Sequence, residues 1–259
     1  MNHFRRASGV FFGTGKWVGN MSTQDFDPRQ PTEEVLLERM IRRLGYPSSA
    51  AVGDDIRRGI ERAIEQGLER VRVRTLWKRT PLVSWRRGVL LAEGIRIRSP
   101  KWAALTRRME RPEFLLCFVL TLGGELENLI SGMQQDSIFE AYLLDAVGSE
   151  LAEGAADELE RHFSSVLSAE GFQITARFSP GYCDWKLDEG QEAIFRFLVP
   201  ESIGVRCTPI GMMIPRKSIS GALVAARRID RRFPCSFCAE KECPYRRDGQ
   251  ARRVDPRQI

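Results

Sequence analysis

Residues 177–185 read Arg-Phe-Ser-Pro-Gly-Tyr-Cys-Asp-Trp. An arginine supplies a planar, permanently charged fork that suits a carboxylate, and Pro-Gly three and four residues later imposes a tight turn. Glycine lacks a Cβ, so a ligand can approach its backbone. Tyr182 and Trp185 offer π faces, which attract a cation such as a sulfonium. Together these groups suit a charged amino-acid ligand. The same residues also fit a purely structural reading, with Pro180-Gly181-Tyr182 as a strand-ending turn, Arg177 in a surface ion pair and Trp185 as a core anchor.

A second constellation is Cys235, Cys238 and Cys243, three thiols within nine residues and followed by Tyr245-Arg246-Arg247. Nearby arginines favour thiolates, and the C-x-x-C spacing suits a zinc ion or an iron–sulfur cluster. A tetrahedral site needs a fourth donor. Cys183 and Cys207 are available, and His3 and His162 are the only histidines. A third constellation is the polar corner Arg216-Lys217-Ser218, which is rich in hydrogen-bond donors and follows the apolar run Gly211-Met212-Met213-Ile214.

The elements that must position these groups are legible in outline. Residues 1–33 form a Gly/Ser/Asn/Pro-containing stretch predicted to be a flexible tail, with Met21 as a more conventional start. A helix is predicted from Glu33, capped by Thr32 and carrying Val35, Leu36, Met40 and Leu44, and a second over about 53–70. Alternation over 71–98 predicts strands with one wet, arginine-bearing face. The run Phe114–Leu122 predicts a buried strand ending at Gly123-Gly124, with Cys117 in a structural place. Leu143, Val147, Leu151, Ala155, Leu159 and Phe163 recur at four-residue steps and predict a helix over about 136–165, in which Gly148, Gly154 and Ala156 permit close packing. The Met-rich run 211–214 is expected to be a strand.

The chain has 259 residues and 42% hydrophobic content, enough for one large domain with tails. We divide it into a flexible tail 1–33, a core 34–233, a Cys-rich segment 234–247 and a basic tail 248–259. No apolar run reaches the roughly 20 residues needed to cross a bilayer. That absence, the lack of a signal-peptide core and the clustered cysteines predict a cytoplasmic protein with no membrane association. The formal charge is +6. Arginine is densest at 227–232, 246–247 and 252–257, without a helix-turn-helix or aromatic RNA motif. A solvated basic tail, or a patch that docks an acidic partner, explains this better than nucleic acid.

The pattern Arg177-x-x-Pro180-Gly181-Tyr182 resembles the activation (reactivation) domain of cobalamin-dependent methionine synthase. Phe118–Gly123, the helix region Asp136–Leu159 with Leu-Ala-Glu at 151–153, Ile203-Gly204-Val205, and Met212–Ser218 resemble that family in the same order, over residues 34 to about 247. The resemblance implies an α+β fold, a twisted, largely antiparallel sheet flanked by helices. It implies S-adenosylmethionine bound by Arg177, Pro180, Gly181 and Tyr182, with Glu153 receiving the ammonium group and Arg177 the carboxylate. It implies that Arg216, Lys217 and Ser218 touch a corrinoid or the partner that carries it.

The implied role is to restore a corrinoid-binding methyltransferase or corrinoid protein whose cobalt has been stranded by oxidation, which takes one electron and one methyl group. Flavodoxin or another low-potential electron donor would supply the electron. No side chain need act as a general base, so no catalytic residue is assigned. The chain departs from the fused methionine synthase in lacking corrinoid, folate and homocysteine modules, in adding the Cys-rich end, and in having Cys183 where glycine is expected. A nucleic-acid-binding module built on the Cys knuckle and Arg-rich tail, and a nonenzymatic S-adenosylmethionine sensor, are the alternatives.

Overall fold

The computed structural model describes residues 31–230. Cys235, Cys238, Cys243, His3, the tail 1–30 and the basic tail 248–259 lie outside the described residues. Two helices open the described chain, α1 (Glu33–Arg43) and α2 (Asp54–Arg70). Thr32 caps α1 by accepting the amide hydrogen of Val35 at 3.4 Å. Three strands follow, β1 (Arg74–Arg86), β2 (Val89–Ala92) and β3 (Ile95–Arg98), then α3 (Pro100–Thr106), β4 (Glu110–Thr121) and α4 (Glu125–Met133). The long helix α5 (Ile138–Ala169) leads to β5 (Gln173–Ile174) and α6 (Leu187–Leu198). A two-stranded hairpin, β6 (Arg206–Cys207) and β7 (Met213–Ile214), precedes the last strand, β8 (Ser218–Arg228).

Six strands form one antiparallel sheet in the order β3-β2-β1-β4-β8-β5. Alternation along β4 sends Leu116, Phe118 and Leu120 into a core shared with α1, α2, α4 and α5. Leu115, Cys117 and Val119 face the opposite core, under α3 and α6. The fold is therefore α+β, an antiparallel sheet covered by helices on both faces. Cys117 is fully buried, and that burial pushes its thiol far above the ordinary range against a smaller opposing effect of Lys78.

The α5 stripe from Leu143 to Phe163 is buried as its spacing predicts. A Cβ at Gly148 would sit 2.8 Å from Leu126, and one at Gly154 2.7 Å from Pro31, so both glycines mark close approaches. The Met-rich run corrects one expectation: only Met213 and Ile214 of 211–214 are strand, in the small hairpin. The long central strand is instead Ser218–Arg228, paired with β4 along most of its length. Among the described residues no helix is long and apolar enough to cross a membrane.

Candidate functional site

The segment after β5 runs along the edge of β8. Thr175 donates its amide hydrogen to the Val224 carbonyl at 2.9 Å, and its Oγ1 accepts from the Val224 amide at 3.0 Å. Phe178 then exchanges two 2.9 Å backbone bonds with Ala222. Successive side chains on such an edge point to opposite faces. Phe178 enters the core under α3 and α6, so Arg177 turns the other way, onto α5.

There Arg177 meets three carboxylates spaced along one helix face. Its guanidinium lies 2.6 Å from Glu153, 2.6 Å from Asp157 and 3.4 Å from Glu160, and its amide donates to Glu160 at 3.1 Å. The guanidinium is 5% exposed, whereas Glu153 and Asp157 are 42% and 43% exposed. Solvent thus sees the acids, with the arginine behind them. Burial disfavours the Arg177 charge, but Asp157 and Glu153 more than offset it and hold the group above its ordinary pKa. The structure therefore joins Arg177 and Glu153, two of the sequence-derived residues, and adds Asp157 and Glu160. The arginine of this cluster is buried, and two of its three carboxylate partners stand at the surface.

The turn that follows is closed on itself. Gly181 has φ of 88° and donates to the Trp185 carbonyl at 2.8 Å, and Tyr182 donates to Ser179 at 3.2 Å. Asp184 accepts from Ser99 Oγ at 2.6 Å and from the Lys101 amide at 2.8 Å, fastening the turn to the start of α3. Trp185 is 2% exposed and stacks on Phe178, and Trp102 packs against both rings at 5.7 and 5.0 Å. It is a core anchor, not a face offered to a ligand. Pro180 is buried as well, leaving Gly181 and the half-exposed Tyr182 at the surface. Leu187, Ile210, Met212 and Ile214 are also exposed, and Gly211 packs against Leu187, which bridges to Gly181. An apolar rim thus borders the turn.

Cys183 has φ of 59°, in the left-handed region that favours glycine. Cys183→Gly is expected to raise stability by about 1 kcal/mol, read as a rise in Tm of about 3 °C. An unchanged or lower Tm would show that the thiol side chain outweighs the backbone term.

The corner 216–218 sits over the same helix. Arg216 is bonded to Glu127 through its backbone amide and, at 3.3 Å, through Nε, and its guanidinium lies 3.9 Å from Asp145. Lys217 Nζ lies 2.8 Å from Asp145 and donates to Ser149 Oγ at 3.0 Å. Ser218 Oγ is 2.6 Å from the Pro215 carbonyl and 2.8 Å from Thr121 Oγ1. Lys217 and Ser218 are buried and turned inward, and Arg216 alone of the three keeps half its side chain in solvent. Asp145, Ser149, Glu153 and Asp157 recur at four-residue steps, so the corner and Arg177 share one polar stripe of α5, with Asp145 and Glu153 about 12 Å apart along its axis.

Among the described residues no group of three or more His, Cys, Asp or Glu side chains is arranged to hold a metal ion. Of the proposed fourth donors, Cys183 is exposed, Cys207 is half-buried on β6, and His162 lies on α5 beside Phe163.

No family model matches the sequence, and no curated protein matches it. In structure the chain is similar to the MetH reactivation domain bound to AdoHcy, with a TM-score of 0.57, 15% sequence identity, and coverage of 83% of this chain and 80% of that one. At this identity the likeness establishes a shared fold.

Proposed function

We propose that this chain binds S-adenosylmethionine at the Arg177–Tyr182 turn and the acidic face of α5, and supports reductive methylation of a corrinoid carried by a partner methyltransferase or corrinoid protein. The observation that carries the reading is the placement of Arg177 with Glu153, Asp157 and Glu160 beside the Pro180-Gly181-Tyr182 turn. Its support from likeness is the shared fold with a reactivation domain whose crystal structure holds AdoHcy.

The donor set fits the ligand by charge. S-adenosylmethionine carries an ammonium, a sulfonium and one carboxylate, a net charge of +1. Three carboxylates and one guanidinium sum to −2, and Glu153 and Asp157 face solvent. Glu153 receives the ammonium group, Arg177 takes the ligand carboxylate in exchange for one of its present carboxylate partners, and the Tyr182 ring lies against the sulfonium. Gly181 lets the ligand approach the backbone. When bound, the ligand supplies an electrophilic methyl group. The chain's own contribution is to bind and orient, with no proton transferred by any side chain.

Arg216 extends from the corner to a corrinoid or its carrier protein, and Lys217 and Ser218 hold that corner in shape. The electron comes from flavodoxin or another low-potential donor. Cys235, Cys238 and Cys243 hold a zinc ion or an iron–sulfur cluster. The setting is the cytoplasm.

Calorimetric titration tests the ligand. S-adenosylmethionine and S-adenosylhomocysteine, which both carry the amino-acid end, are expected to bind at least tenfold more tightly than 5′-methylthioadenosine, which lacks it, because a charge-assisted contact is worth about 1.5–3 kcal/mol. Equal affinity for methylthioadenosine would remove the acidic stripe and Arg177 from the site.

A further inference from the structure

The outward face of β1, β2 and β3 carries a charge pattern that the ligand site does not use. Register places Arg86 opposite Val89 and Val89 opposite Arg98, in one row across three strands. The next row is Ser84, Leu91 and Arg96. Arg96 and Arg98 are two residues apart on one face, about 7 Å along the strand. Val83 sits at a bulge in β1 and is 56% exposed, and Leu91 is 40% exposed. Arg87 follows at the hairpin turn.

Counter-charge is sparse there. Among the described residues the ion pairs of this face reduce to one, Arg98 with Glu189 at 4.0 Å. Glu93, exposed at the β2–β3 turn, is the acid nearest in sequence. Elsewhere on the molecule exposed arginines meet carboxylates more closely, as Arg43 meets Glu150 at 2.8 Å and Arg57 meets Glu61 at 3.1 Å. Arginines left unneutralised around exposed aliphatic groups form the composition of a protein interface.

We propose that this face docks an acidic protein surface, in which carboxylates flank an apolar residue. The arginines take the carboxylates in bidentate geometry, and Leu91, Val89 and Val83 cover the apolar group. Single-stranded nucleic acid needs aromatic platforms for its bases, whereas the side chains between these arginines are aliphatic. The surface is separate from the adenosyl ligand site, so its test stands apart from that proposal.

The probe is a fluorescent 16-residue peptide alternating pairs of glutamate with leucine, titrated into the full chain at low and high salt beside a 20-nucleotide single-stranded DNA. The peptide is expected to bind, to weaken as salt rises, and to lose at least tenfold in affinity in the Arg96→Glu/Arg98→Glu double variant but not in Arg42→Glu. Reversal to glutamate keeps the sheet edge charged and leaves the inward-facing core of β3 untouched, and an unchanged far-UV circular dichroism spectrum and melting temperature report the folding of the double variant. No peptide binding, binding indifferent to the double reversal, or tighter binding of the DNA through the same arginines would each overturn the proposal.

Discussion

Arg177→Ala is expected to lower the melting temperature by about 6 °C, because losing a set of charge-assisted hydrogen bonds costs about 1.5–3 kcal/mol and each kcal/mol moves Tm by about 2–4 °C in a domain of this size. The arginine is 5% exposed and draws together Glu153, Asp157 and Glu160, so its loss leaves three carboxylates on one helix face without the cation between them. Arg177→Lys keeps the charge but cannot reach Glu153 and Asp157 with a rigid fork at 2.6 Å each, and is expected to recover only part of the loss. A Tm within 2 °C of wild type for the alanine variant would show that the cluster contributes little. Because this variant combines folding and binding, Tyr182→Ala separates them. Tyr182 is half-exposed at the turn, and its truncation is expected to leave Tm nearly unchanged while weakening the ligand.

Gly190→Ala is expected to destabilise the protein by about 2 kcal/mol, against the usual sign for a helix. Within α6, glycine to alanine ordinarily gains about 1 kcal/mol. Here the added Cβ would lie 2.7 Å from Pro180 Cβ and 2.7 Å from Trp185 Nε1, and both of those side chains are buried. Overpacking of this kind costs about 1–3 kcal/mol and pushes directly on the turn that carries Gly181 and Tyr182. Affinity for S-adenosylmethionine is expected to fall at least tenfold with stability. Gly132→Ala in α4, where a Cβ would meet nothing within 4 Å, is the control and is expected to be neutral or slightly stabilising. Chemical denaturation of the two variants side by side checks the pair, and equal effects would contradict the packing argument.

The apolar stripe of α5 was legible in the sequence because Leu143 to Phe163 keep a four-residue step that only a helix satisfies. The partners of Arg177 were not. Glu153 and Asp157 are four residues apart and Glu160 three further on, along the adjoining face, and a polar helix stripe alone reads as a solvated surface. Its role emerges only when the edge segment 175–178 sets Arg177 against it, a tertiary event. The missed β8 has the opposite cause. Ser218–Arg228 is buried on both faces and therefore shows no alternation, and its alanines favour helix until the ladder to β4 overrides them. Helix α6 carried a detectable signal, acids in the first turn and then Ile194 and Leu198 one turn apart. Cys183 was readable as a departure from glycine, and its φ of 59° supplies the reason.

The proposed role rests on where one small zwitterion with a sulfonium sits, and a crystal of the protein soaked with S-adenosylmethionine locates it most directly. The ammonium group is expected within hydrogen-bond distance of Glu153, the carboxylate on Arg177, and the sulfur beside Tyr182 at the Gly181 turn. Ligand bound at another surface, or a soaked crystal with no ligand at this turn, would contradict it.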